Sequence, residues 1–191
     1  FKQKTAYEIK DCDWSSDVCS SDLFVATAPL SLGVVAGPAV SFVVSAAATT
    51  AGVPASVTVT AYDSYGNVAT GYAGTVHLTS SDGGATLPAD ATLTAGTGSF
   101  SVTLTTAGNQ TVTATDTVTA SITGTSGAIA VSAGAATSFT VTGLTSATAG
   151  VAASVTVTAY DSYGNVATGY AGTVHLTSSD GERKSTRLNS S

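Results

Sequence analysis

ASVTVTAYDSYGNVATGYAGTVHLTSSDG, residues 55–83, recurs without a change at residues 153–181. Its first part alternates: Val57, Val59 and Ala61 stand between Ser56, Thr58 and Thr60. Its last part does the same, with Val76 and Leu78 between Thr75, His77 and Thr79. A period of two is the pattern of a strand with one buried and one wet face. Outward Thr suits it, being β-branched and carrying a hydroxyl for water. Between the two runs lies DSYGN, residues 63–67, a turn signal.

Outward from this stretch the same grammar continues. Phe100, Val102 and Leu104 alternate with Ser101, Thr103 and Thr105, and Val112 and Ala114 with Thr111, Thr113 and Thr115. VSFVV at 40–44 and GAIAV at 127–131 read as further strands. SDGG at 81–84, AGTG at 95–98 and AGN at 107–109 read as turns. No helical stripe of useful length occurs. About seven short strands per repeat predict an all-β fold, an antiparallel immunoglobulin-like β-sandwich. Phe42, Val57, Val59, Val76, Leu78, Leu93, Phe100, Val102, Leu104, Val112 and Ile129 form the predicted core. Burying each large one is worth about 1.5–3 kcal/mol against chain entropy.

The two copies start 98 residues apart, a period of domain size rather than of a short solenoid unit. One full repeat runs over 38–134. Residues 24–37 read as the end of a preceding repeat, because VVAGPAVSF at 34–42 aligns with VSAGAATSF at 131–139. Residues 135–181 read as the truncated first half of the next. That half lacks counterparts of Phe100, Val102, Leu104, Val112 and Ile129, and so is not expected to fold by itself. With no initiator Met, the chain reads as a fragment or a processed piece.

All six Lys and Arg residues lie in 1–23 or 182–191, as do both Cys and the one Trp. Those ends resemble translated sequencing adapter. KQKTAYEI and DWSSDVCSSDL match two parts of an indexed short-read adapter, and RKSTRLNSS matches the reverse complement of the second. Residues 1–23 and 182–191 are therefore expected to be adapter-derived rather than native. The interior 24–181 holds Asp63, Asp82, Asp90, Asp116, Asp161 and Asp180 and no Lys, Arg or Glu. Such a surface does not grip nucleic acid, whose phosphates need basic side chains. No apolar run approaches the roughly 18 residues that suggest a membrane span, so membrane insertion is not expected.

The strand, the Asp-x-x-Gly-Asn turn at 63–67 and the strand after it resemble the bacterial immunoglobulin-like repeats of invasin type and the filamin-type repeats. The resemblance covers 38–134 and part of 135–181. It departs after Gly-Asn, where Val68 replaces the Pro often found there. It implies tandem sandwiches in large secreted or surface-anchored proteins.

Three groups of residues invite chemistry. Asp63 is expected to accept hydrogen bonds from the N–H groups of its turn, where Gly66 and Asn67 tolerate positive φ. Asp63, Asn67 and Asp82, with Asp90 or Asp116, supply hard oxygens for Ca²⁺ if their loops converge. His77, Ser81 and Asp82 carry the residue types of a hydrolytic triad. However, His77 points outward and no nucleophile elbow accompanies it, so a solvated strand histidine is expected and no catalytic residue. Tyr62, Tyr65 and Tyr72 offer an aromatic platform, or else one caps the sandwich edge while the others cover a loop. The reading that follows is a non-enzymatic spacer or stalk repeat of a bacterial secreted or cell-surface protein, without cofactor. The alternatives are an adhesin module for glycan or a host surface, and an accessory module of an extracellular enzyme. Its expected partners are neighbouring repeats of the same chain, and a surface glycan or protein.

Overall fold

The structure, a computed structural model, describes residues 33–143, 145–148 and 150–179. The adapter reading of 1–23 and 182–191 lies outside them, as do residues 24–32 of the preceding repeat. The first repeat carries β1 (Ser41–Ala46), β2 (Thr49–Thr50), β3 (Pro54–Tyr62), β4 (Thr75–Ser80), β5 (Ala91–Thr92), β6 (Thr97–Thr103), β7 (Gly108–Gln110), β8 (Val112–Asp116), β9 (Thr123–Thr125) and β10 (Ile129–Ser132). β1, β3 and β6 pair antiparallel in that order, and β5, β4, β8 and β9 form a second antiparallel sheet. β10 joins β7 antiparallel and β2 parallel.

The alternation seen in the sequence is the alternation of burial. Val57, Val59 and Ala61 of β3 face Val76 and Leu78 of β4 and Val112 and Ala114 of β8 across one core, and all are buried. Every residue of the predicted core is buried there, joined by Val44, Ala51, Ala69 and Val131. On the wet face hydroxyls pair across strands: Ser56 with Ser99 at 2.8 Å, Thr113 with Thr125 at 2.8 Å and Thr115 with Thr123 at 3.1 Å. Such cross-strand pairs are the unit of sheet stabilisation.

Three details differ from the sequence reading. AGN at 107–109 is not a turn throughout: Gly108 and Asn109 belong to β7, which pairs with β10 before the chain passes into β8. AGTG is tighter than expected. Ala95 (φ 50°) and Gly96 (φ 76°) make a two-residue turn between bridged Thr94 and Thr97, so β6 begins ahead of its apolar alternation. β2, β5, β7 and β9 are two or three residues long, too short for a period of two to register. At β9, Gly124 meets the Phe42 carbonyl so closely that a Cβ has no room, which lets β9 lie against β1.

In the second copy β11 (Ser138–Thr142) pairs, among the described residues, only with β12 (Thr156–Tyr160). Phe139, the counterpart of Phe42, is 45% exposed where Phe42 is 4% exposed. Among the described residues the second hairpin thus has its strands without the opposing layer that buries the first.

Candidate functional site

The chemistry of this molecule is concentrated in its aspartates. Asp63 follows the last residue of β3 and is buried. Its Oδ1 accepts the N–H groups of Tyr65 and Asn67, both at 2.9 Å, and its Oδ2 accepts that of Gly37 at 2.9 Å. The Asn67 carboxamide donates to the same carboxylate, at 3.1 Å to Oδ2. Of the two residues that tolerate positive φ, Gly66 takes it, at +81°, and Asn67 does not. Asn67 is selected instead for its amide, which holds Asp63. The Asn67 side chain, the Asn67 N–H and the Gly37 N–H together lower the Asp63 carboxyl to about 2, against the opposing effect of burial.

Asp161 repeats this clasp around Tyr163, Asn165 and Gly134, with each N–H again at 2.9 Å. Burial alone would raise its carboxyl. Donation from the Asn165 side chain, Gly134, Asn165 and Tyr163 outweighs that and lowers it to about 2. Here the asparagine does more. The Asn165 Nδ2 also donates to the Thr105 carbonyl at 2.8 Å, and its Oδ1 accepts the Ala107 N–H at 2.8 Å. One side chain thereby ties the second repeat to a loop of the first. Sequence reasoning missed this, although the unchanged recurrence of DSYGN at 161–165 was its one available signal.

Asp82 holds that same loop. Its Oδ2 accepts the N–H groups of Thr105 (2.6 Å) and Thr106 (3.0 Å), and its Oδ1 accepts the Thr106 hydroxyl (2.7 Å) and the Gly84 N–H (3.0 Å). Burial raises its carboxyl, but these donors prevail and bring it to about 2. Asp116 accepts from the N–H groups of Val118 and Thr119 and from the Tyr72 hydroxyl. The Tyr72 hydroxyl leads in lowering the Asp116 carboxyl, and burial, followed by Asp116, raises the Tyr72 phenol.

The calcium constellation does not assemble around Asp63 and Asp82. Pro54 of β3 is opposite Thr103 of β6, so the Thr105–Thr106 loop lies at the start of β3, while Asp63 lies past its end. Nine residues of strand separate them, about 30 Å at the usual rise. Asp63 and Asn67 do meet, but as acceptor and donor in one turn. Asp90 is engaged elsewhere, at 2.7 Å from Nδ1 of His77.

His77, Ser81 and Asp82 are likewise apart in function. His77 is exposed on the outer face of β4, Ser81 donates to Gln110 Oε1 at 2.7 Å, and Asp82 faces the Thr105–Thr106 loop. The tyrosines form no common platform. Tyr72 packs edge-on against Phe42, with ring centroids 5.5 Å apart, and caps the core beside Asp116. Tyr62 is half-buried and Tyr65 is 88% exposed.

No protein-family model matches this chain, and no curated protein does. Solved structures similar to it include FdeC, a broadly conserved Escherichia coli adhesin, at 24% identity and a TM-score of 0.49, covering 80% of this chain and 52% of that one. Domains 4–9 of surface layer protein SbsC are similar at 21% identity and a TM-score of 0.39, covering 76% of this chain and 24% of that one. Domains 5–6 of the S-layer protein SbsC give 20% identity and a TM-score of 0.33, covering 75% and 79%. This chain spans about half the length of the FdeC structure and about a quarter of the larger SbsC one.

Proposed function

We propose that this chain is part of a bacterial secreted or cell-surface protein in which tandem immunoglobulin-like sandwiches serve as a structural spacer. The observation that carries the reading is the use made of polar side chains at the repeat junction. Asn165 joins two repeats, and Asp82 and Asp161 brace the two sides of that contact. A ligand site keeps convergent polar groups available in a concave surface. Here the buried carboxylates are closed by donors of their own or a neighbouring loop, which makes them parts of a frame. An interior without basic residues gives no hold on nucleic acid.

The test is a series of bacterial surface-displayed arrays with increasing numbers of the 98-residue unit and a tag at the distal end. A spacer raises the tag above the cell in proportion to repeat number, and a height independent of repeat number overturns the reading. The exposed Tyr65 favours a second reading, an adhesin that meets a glycan or host surface through this corner. Saturable binding on a glycan array that Tyr65→Ala abolishes would establish it.

A further inference from the structure

Identical residues stand in two different surroundings in this chain. Tyr65 is 88% exposed, while its counterpart Tyr163 is 51% exposed. Asn67 is exposed, while Asn165 is half-buried. The difference lies in what each copy meets. The ring and hydroxyl of Tyr163 lie directly over Gly52, so closely that a Cβ there has no space. Gly52 also takes φ +81° and donates its N–H to the Leu104 carbonyl at 2.8 Å, which places it beside the Thr105–Ala107 loop that Asn165 grips. Gly52 and the loop form one socket, and Asp82 shapes the loop. Gly150, the counterpart of Gly52, keeps the same backbone conformation at φ +79° with nothing within 4 Å of a Cβ built on it.

We propose that the Tyr65–Asn67 corner is a docking surface for the rear of a preceding copy of the same repeat. On that copy Tyr65 and Asn67 take the places that Tyr163 and Asn165 take on Gly52, Thr105 and Ala107. The occupant is fixed by sequence identity: residues 55–83 and 153–181 are the same, so a corner that fits the socket in one copy fits it in the other. The contact is heterologous, corner to socket, and such contacts propagate head to tail without closing. This deepens the spacer reading, and rests on it only in taking a further copy to precede the first.

The joint is tested in the full chain by amide hydrogen exchange at Ala107. Asn165→Ala removes its acceptor, and exchange there should rise about five- to thirty-fold, the factor that corresponds to losing one or two kcal/mol. Tyr163→Ala leaves the Asp161 clasp whole, because only the Tyr163 N–H takes part in it, and should raise the same rate. Asn67→Ala should leave Ala107 unchanged. Slow exchange at Val57–Ala61 in every variant reports that the first sandwich is still folded. The docking surface is tested by nitration. Tyr65 should react faster than Tyr163 in this chain, and should slow to the Tyr163 rate when a copy of residues 38–134 is placed ahead of Pro38. An Ala107 rate indifferent to both variants, or a Tyr65 that stays fast behind the added copy, overturns the proposal. Failure here leaves a spacer with loose joints, whereas failure of the display series leaves the joint intact, so the two ideas fall separately.

Discussion

Asp63, Asp82, Asp116 and Asp161 are buried, and each directs its carboxylate at N–H groups of nearby loops. Each is held below the ordinary carboxyl value of 3.8, three of them at about 2. A carboxyl whose folded pKa is lowered stabilises the fold fully above its unfolded value and loses that contribution as pH falls through the folded one. Urea midpoints should therefore hold at pH 5 and fall between about pH 4 and pH 2. Asp82→Asn should start lower and fall less over that range. Asp82→Ala leaves the N–H groups of Gly84, Thr105 and Thr106 without their acceptor, and should cost about 1–3 kcal/mol in urea unfolding at pH 7. At this scale the sequence was half legible. Asp-x-x-Gly-Asn announces a turn with an acceptor at its head, because Tyr65 and Asn67 lie within five residues of Asp63, whereas Gly37 does not. The reach of Asn165 to Thr105 and Ala107 crosses some sixty residues, and no local spacing encodes it.

Phe42 on β1 and Phe139 on β11 compare one element in two settings. Both open an antiparallel pair in the same register, Phe42 opposite Ala61 and Phe139 opposite Ala159, and both rings meet a tyrosine edge-on. Among the described residues only Phe42 has an opposing sheet. Phe42→Ala should cost about 3–5 kcal/mol by urea unfolding of the full chain, the usual loss for a buried aromatic. Phe139→Ala should cost about 0.5–1.5 kcal/mol, the worth of its ring pair with Tyr170. Equal losses would mean that the second hairpin buries its face after all. The long strands were legible because β3, β4, β6 and β8 present apolar residues at every second position to one core. β2, β5, β7 and β9 were not, since two or three small or polar residues carry no contrast between faces, and β2 exists through pairing with β10, about eighty residues on.

At the scale of the molecule, one sequence exists in two degrees of completion. β3 lies between β1 and β6, whereas β12, its copy, pairs among the described residues with β11 alone. Amide exchange should be slow over 57–62 and fast over 155–160, and equal protection would show that the second copy finds another partner. The tandem plan itself was legible from the unchanged recurrence at 153–181, but the contact between copies required the fold, which brings Gly52 and the Thr105–Ala107 loop together. The parallel pairing of β2 with β10, Thr49 with Val131 and Thr50 with Ser132, has a mechanical consequence. The chain enters the sandwich near one of these strands and leaves it by the other. Were the repeat part of a tethered array, as proposed, tension reaching this pair would drag the two strands in opposite directions along a shared axis. Their hydrogen bonds then bear load together, in shear, and do not peel one at a time. Resistance of the repeat to pulling is then set by the height of its unfolding barrier rather than by its equilibrium stability.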